Sequence, residues 1–239
     1  MKILQVSTSD IGGGAEKVAV NLYEAYKNLG HQSWLVVGHK MEEDDSIIEF
    51  PKKKDRQTVR GWQWLKHLPY GISKLKKTCE NNYGIENFDY TSSRRLLSLV
   101  KDTPDILHLH NLHGSYFDLR YLSALSNKIP VVITLHDEWL FTGHCACTLG
   151  CKRWRYGCGS CPDLSIYPAI KRDATAYNWK RKRKVYKKSN LYLTTPSKWL
   201  MKHVQASMME SVKTKVIPNG VDLKKYFSDN RPKARGELG

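Results

Sequence analysis

The stretch 131–137, VVITLHD, is an apolar run that ends in His136 and Asp137. Such a run fits a buried parallel strand, and polar residues just past its carboxyl end project into the crevice where ligands bind. A histidine there can hydrogen-bond a hydroxyl or the backbone in either protonation state. His136 and Asp137 are therefore candidate site residues; the plain alternative is a structural strand-end histidine. A second candidate is Gly12-Gly13-Gly14, just ahead of Ala15-Glu16. Glycines permit positive φ and let backbone N–H groups approach an anion, and a helix start adds a favourable dipole. The loop lacks the Walker lysine and the full G-x-G-x-x-G spacing, and read alone it is also compatible with a tight turn.

Two further clusters carry donor atoms. His108, His110 and His113 flank Asn111, and alternation places His108 and His110 on one strand face. With no carboxylate or cysteine at ligand spacing nearby, His108 reads as a core hydrogen-bonding residue, and His110, Asn111 and His113 as polar residues of a cleft. Five of the six cysteines fall within 145–161. Cys158 and Cys161 have the two-residue spacing that lets two thiolates reach one zinc, and Cys145 and Cys151 are the other expected pair, with Cys147 and His144 as substitutes. Lys152, Arg153 and Arg155 would favour thiolates. Disulfides and free thiols stay open as alternatives. The neighbouring residues lack the His/Glu pattern of an open catalytic metal site, so a zinc here would be structural, supplying folding energy to a polar segment. Cys79 reads as a packing residue.

The elements that would position these groups alternate between strand and helix. Residues 2–7, 34–37, 106–110, 131–135, 191–195 and 215–217 read as strands, and 15–29, 94–100, 119–125, about 169–188 and 198–207 as helices, with Gly30 a helix stop and Ser197 an N-cap. Val18, Leu22, Ala25, Tyr26 and Leu29 fall at helical spacing in the first helix. This order predicts an α/β fold: an open, Rossmann-like parallel sheet with helices on both faces. Two stretches break the alternation. Residues 138–168 form an irregular Cys-rich insertion. Residues 40–82 run from acidic (41–45) to strongly basic (52–60), and then, over 61–77, interleave Trp62, Trp64 and Leu65 with lysines. That last mixture suits either a membrane-interface segment or a helix packed on the sheet with snorkelling lysines.

Bulk composition sets outer limits. The chain has 239 residues, 41% hydrophobic, with 39 Lys+Arg against 23 Asp+Glu and a net charge of +16. Such a charge points to an anionic partner: nucleic acid, acidic lipid head groups or a phosphate-bearing substrate. The sequence carries neither a helix-turn-helix spacing nor an RNP-type aromatic signature, so no nucleic acid partner is expected. No apolar stretch approaches the roughly 18 residues of a membrane span. The N-terminus turns polar too early for a secretory signal, which favours the cytoplasm. Residues 171–188 hold nine lysines and arginines, either a solvated helix face or a surface drawn to the anionic inner membrane.

Taken together, Gly13-Gly14-Ala15-Glu16, Gly30-His31, Thr134–Asp137 and the stretch 217–222 (IPNGVD) resemble the N-terminal half of family 4 glycosyltransferases, retaining enzymes of the GT-B fold. HLHNLHG (108–114), HDEWLFTG (136–143) and GCGSCP (157–162) make the chain most similar to bacterial exopolysaccharide enzymes of the colanic-acid type. The resemblance implies a hexosyl-type transferase acting from a nucleotide-sugar, as co-substrate, onto a glycan or lipid-linked acceptor, with no catalytic cofactor. It implies that Gly13 and Gly14 lie near the donor phosphates, that His136 points at the transferring sugar with Asp137 to orient it as the catalytic pair, and that Glu16, His110, Asn111, His113, Trp139 and Asn219 line the substrate site. Residues 1–222 are then the acceptor-side domain and 223–239 the start of an interdomain linker. The donor-side domain is expected to be missing and the chain alone inactive. Two other readings are a non-catalytic acceptor- or membrane-binding module, and half of a GT-B sugar-nucleotide epimerase, for which Asp10, Glu16, Asp137 and Glu138 are the available carboxylates.

Overall fold

The computed structural model of the chain describes residues 1–51, 78–223 and 231–238. The expectations for 52–60 and 61–77 fall outside the described residues. Seven strands form one sheet: β1 (Lys2–Ser9), β2 (Gln32–His39), β3 (Ile47–Glu49), β4 (Ile106–His110), β5 (Val131–Thr134), β6 (Leu191–Thr195) and β7 (Lys213–Val216). Their order is β3-β2-β1-β4-β5-β6-β7, and every neighbouring pair is parallel. Parallel strands need long crossovers, and these come from helices α1 (Gly14–Asn28), α2 (Leu122–Ser126), α3 (Thr175–Tyr186) and α4 (Lys198–Gln205). A further helix, α5 (Arg231–Leu238), follows β7. The architecture is the Rossmann-like open sheet expected from the sequence.

Both faces of the sheet are covered, which is why the central strands are apolar runs rather than alternating ones. Leu4, Val6, Leu107, Leu109, Val131 and Ile133 are fully buried. Leu4, Val6, Leu107, Leu109 and Ile133 belong to the large core that also holds Phe117, Phe141 and Trp154, whereas Leu35, Val37 and Ile47 pack with Tyr23 of α1 in a smaller one. Gly30, at φ +79, turns the chain left-handed after α1, and the His31 N–H reaches back to the Tyr26 carbonyl at 3.0 Å. The expected cap on α4 is present: Ser197 Oγ accepts from the Leu200 N–H.

The sheet switches direction between β1 and β4: β1 leads through α1 to β2 on one side, and β4 lies on the other. Ligands of open α/β sheets bind outside the carboxyl ends of the strands at such a point. The glycine loop leaves the end of β1 there, Asn111–Gly114 leave β4, and His136-Asp137 leave β5 one strand over.

Several elements differ from expectation for local reasons. The basic helix begins at Thr175 instead of about 169, because the Asp173 carboxylate accepts from the Thr175 N–H at 3.0 Å and its hydroxyl at 2.6 Å, fixing a turn that starts the helix. Residues 91–98 form a 3₁₀ helix, and 119–121 form another before α2 takes over. Strand β3, inside the pattern-breaking stretch, is three residues long and was too short to announce itself. Helix α5 occupies part of what reads as linker.

Candidate active site

Three histidines stack behind the β4–β5 crevice. His108 and His110 project from the same face of β4 with ring centroids 4.2 Å apart, and His110 stacks on His136 at 5.4 Å. His110 is fully buried, so it backs His136 and does not line the cleft as the sequence implied. Its Nε2 lies 3.3 Å from Gln5 Oε1 and its Nδ1 lies 3.1 Å from His136 Nε2. The amide oxygen accepts, so His110 Nε2–H donates, and His110 Nδ1 is left to accept from His136 Nε2–H. That order of bonds leaves the lone pair of His136 on Nδ1, where it can accept a hydrogen bond. Gln5, buried in mid-β1, is a site residue that sequence reading missed, since a lone polar residue in an apolar strand carries no pattern.

Burial disfavours charge on all three rings. It holds His108 down to about 4, with the neighbouring His136 adding to the effect, and it holds His110 well below the ordinary value. Burial also lowers His136, against the pull of the Asp137 and Glu16 carboxylates. The stack is neutral at physiological pH. His108 Nε2 bonds Thr134 Oγ1 at 2.7 Å, and that hydroxyl shares a bond with Thr194 of β6, also at 2.7 Å.

Asp137 holds a different partner from the one expected. Its Oδ2 lies 2.7 Å from His113 Nε2, and its Oδ1 accepts from the Trp139 N–H at 2.9 Å. Asp137 therefore organises His113 and the 3₁₀ turn Trp139–Phe141, while His110 orients His136. His113 makes edge contacts with Trp139 and Tyr167 at centroid distances of 5.6 Å each. Trp139 is itself buried, with the Lys182 ammonium 3.6 Å from its ring centroid. A cavity of about 360 Å³ opens beside this group, bounded by His113, Gly114 and Trp139 on one side and Glu86, Phe88 and Lys171 on the other. Asn111, at φ 31, gives its carbonyl to Tyr116 Oη at 2.7 Å and Thr8 Oγ1 at 3.1 Å.

The glycine loop works without left-handed backbone. None of Gly12, Gly13 or Gly14 has positive φ, and Gly13 caps α1 at φ −77. What the loop uses is the missing side chain: a Cβ on Gly12 would press on Glu16 at 3.1 Å, while one on Gly14 would meet nothing within 4 Å. Gly14 thus presents bare backbone at a helix N-terminus, where N–H groups lack intrahelical partners. Asn219 lies exposed beyond edge strand β7, away from the stack.

The remaining carboxylates are engaged elsewhere. Asp10 accepts from the backbone of Met41 and Glu42. Burial raises its pKa, but these amides outweigh that and hold the carboxyl below the usual range. Glu138 is buried, bonded to the Thr148 N–H at 2.6 Å and to His203 Nδ1 at 2.7 Å. Neither carboxylate is placed as a proton-transfer group in the crevice. The cysteines expected as metal ligands do gather: Cys145, Cys151, Cys158 and Cys161 line one small pocket together with His144, whereas Cys147 is exposed. Among the described residues no group of three or more His, Cys, Asp or Glu side chains already stands in metal-holding geometry.

Comparison with known proteins gives the following. The sequence profile of Glycosyltransferase Family 4 matches residues 12–225. The chain is 28% identical over 240 aligned positions to WcaC of Escherichia coli K12, named for a colanic acid biosynthesis glycosyl transferase, covering 93% of this chain and 55% of that protein. Among solved structures, Anabaena Alr3699/HepE in complex with UDP and glucose aligns over 100% of this chain and 50% of that chain at 16% identity and a TM-score of 0.47. The same protein in complex with UDP-glucose aligns at 15% identity and a TM-score of 0.46. The chain spans about half the length of the relatives it matches.

Proposed function

The chain belongs to glycosyltransferase family 4, and on that premise we propose that it forms the acceptor-side half of a retaining glycosyltransferase. The enzyme would move a hexosyl-type sugar from a nucleotide-sugar to a glycan or lipid-linked acceptor in bacterial surface polysaccharide synthesis. One juxtaposition supports this reading most: the open Gly14 backbone at the start of α1 lies at the switch point of the sheet, and Glu16 of that helix is within electrostatic reach of His136, one strand over. Its relationship to a protein named for colanic acid biosynthesis supports the polysaccharide assignment.

The chemistry suits these groups. Transfer with retention develops positive charge on the sugar and negative charge on the departing phosphate, so oriented dipoles matter more than a strong nucleophile. Bare N–H groups at the α1 N-terminus would meet the phosphates. His136, neutral and fixed by His110, would accept a hydrogen bond from a sugar hydroxyl without changing charge. The Glu16 and Asp137 carboxylates near it favour the developing positive charge. The cavity between His113–Trp139 and Glu86–Lys171 would take the acceptor, sized for about two sugar rings and walled by an aromatic face. Since the chain spans about half of its relatives, the donor-side wall of the cleft would come from outside these residues, and the 239 residues by themselves would transfer little sugar.

The basic helix gives the acceptor's setting. Lys171, Arg172, Lys180, Arg183, Lys184, Lys187 and Lys188 are exposed around α3, and each would gain about 1 kcal/mol near anionic lipid. Docking on the cytoplasmic face of the inner membrane would bring a lipid-linked acceptor to the cleft. No helix among the described residues is long and apolar enough to cross a membrane.

Titrating isotope-labelled chain with nucleotide-sugars and with oligosaccharide acceptors tests the reading. Nucleotide-sugar should move the His136 ring and Gly14 amide signals, and acceptor should move His113 and the Trp139 indole. Silence of all four at millimolar ligand would overturn it.

A further inference from the structure

The insertion between β5 and α3 poses a folding problem. From Cys145 to Ile170 only Thr148 and Trp154 are buried, and the single regular element is the 3₁₀ turn Arg153–Arg155. So little apolar burial cannot order a segment of this length. Yet the insertion anchors the site. The Thr148 N–H and the Ala146 carbonyl bond Glu138, and Tyr167 packs against His113.

Four thiols converge where a staple would act. Cys145, Cys151, Cys158 and Cys161 line one pocket against Trp154, and each sulfur is within electrostatic reach of two others: Cys145 of Cys158 and Cys161, Cys151 of Cys158 and Cys161. All six cysteines are free thiols in the structure. The backbone is bent to deliver two of them: Gly157, Cys158, Gly159 and Ser160 all take positive φ (128, 57, 86 and 47). For two non-glycine residues that conformation is costly and needs a compensating interaction. The Gly143 amide donates to Cys158, and the fully buried Lys182 ammonium lies within electrostatic reach of both Cys158 and Cys145. A buried cation and an amide donor would offset part of the charge of a metal–thiolate centre and do nothing for a disulfide; without a metal, burial outweighs them and pushes the Cys145 thiol up to about 11 and the Cys158 thiol up to about 12.

We propose that Cys145, Cys151, Cys158 and Cys161 bind one structural Zn²⁺ as thiolates and so fasten the insertion under the active site. Binding breaks four S–H bonds and forms four Zn–S bonds; the protons leave and the centre carries a net charge of −2, which Lys182 and the basic residues around Arg153 face. His144 completes the arrangement. Its Nδ1–H donates to the Pro168 carbonyl at 3.1 Å, which aims Nε2 at Cys161 Sγ, 3.4 Å away. That nitrogen stands beside the Cys161 sulfur, the position of an outer-shell partner to a metal–thiolate centre. The side chains have to draw inward by rotamer changes to reach the roughly 2.3 Å of a Zn–S bond.

The test is metal analysis of the purified chain, expressed with zinc and under reducing conditions. About one zinc per chain is expected. Treatment with a strong chelator should make four further thiols reactive and lower the melting temperature by roughly 5–10 °C. Cobalt substitution should give the intense visible absorption of tetrahedral thiolate coordination; this uses the native chain and does not depend on whether Cys→Ser variants fold. Cys147→Ser and His144→Gln should keep the metal, and Cys161→Ser should lose it. Zinc well below one per chain with four freely reactive thiols, or two disulfides by mass spectrometry under the same conditions, overturns the proposal. Loss of metal in Cys147→Ser with retention in Cys161→Ser overturns the ligand set.

Discussion

His108 should make this protein acid-sensitive in a window where most domains are near their best. Its imidazole is buried against Thr134 and held down to about 4, whereas an unfolded chain exposes it at its ordinary 6.5. The folded state therefore binds fewer protons than the unfolded state between those values, and stability falls as pH drops through the window. The stabilising contribution is fully present above pH 6.5 and is lost progressively below it. From these two values, the loss on going from pH 7.5 to 5.0 is about 2 kcal/mol for His108. Burial holds His110 well below its ordinary value and lowers His136, so both change stability in the same direction. Against a typical total of roughly 5–15 kcal/mol, about 2 kcal/mol from His108 alone is a large part. Asp10 and Asp173 are held below the usual carboxylate range, so their losses come at lower pH, while burial raises Glu86, which opposes the fall. The assay is urea unfolding at pH 7.5, 6.5, 5.5 and 5.0 on the native chain and on His108→Gln. The glutamine amide can still reach the Thr134 hydroxyl but does not titrate. The variant should lose stability overall yet show a fall with acid smaller by about 2 kcal/mol. Equal slopes in the two proteins would refute the claim that burial keeps His108 neutral.

Two other perturbations follow from the same packing. Lys182 is fully buried and bonds Glu86 Oε1 at 3.0 Å and the carbonyls of Trp139 and Thr142 at 2.9 and 3.2 Å. Lys182→Met should cost about 3–5 kcal/mol, because it strands Glu86 in the interior, and lower the melting temperature by roughly 10 °C. Adding Glu86→Gln should recover a good part of that loss; strict additivity in thermal or urea unfolding would contradict the pairing. Gly143 and Gly14 should respond in opposite ways to alanine. A Cβ on Gly143 would stand 2.4 Å from the Thr175 carbonyl oxygen, so Gly143→Ala should destabilise by roughly 1–3 kcal/mol. Gly14 has open space, so Gly14→Ala should leave unfolding within about 0.5 kcal/mol. It should instead weaken nucleotide-sugar binding roughly tenfold in calorimetry, about 1.4 kcal/mol. Unchanged affinity would remove the loop from the donor site.

What the sequence made legible, and what it hid, divides along physical lines. Continuous apolar runs such as 131–135 announce strands buried on both faces, and Gly30 and Ser197 act through their own backbone and side chain, so these were readable locally. His136 was readable too, because position past a strand end is a one-dimensional property. Its partner was not. Asp137 is adjacent in sequence, yet the ring that His136 meets is His110, the last residue of the neighbouring strand and 26 positions away; register decides that contact. Gln5 and Lys182 were invisible for a related reason. A glutamine within an apolar strand and one lysine among nine basic residues acquire meaning when Glu86 and His110 arrive from distant parts of the chain. Trp139 looked like a substrate-facing aromatic, and it is mostly buried over Lys182, contributing one wall to the cavity. The start of α3 shows the limit of composition, since a basic run says nothing of where Asp173 sets the first turn.

In the proposed function, His136, backed by His110, is the group these residues bring to the reacting sugar. The direct measurement is kcat/KM for sugar transfer by the enzyme that carries this chain, with His136 and with His136→Ala, alongside the melting temperature of each. The account predicts a fall of about 10²–10³-fold in transfer, the scale for losing one oriented donor or acceptor at a transition state, with melting unchanged to within a few degrees. Transfer retained to within roughly threefold in a folded variant would contradict it.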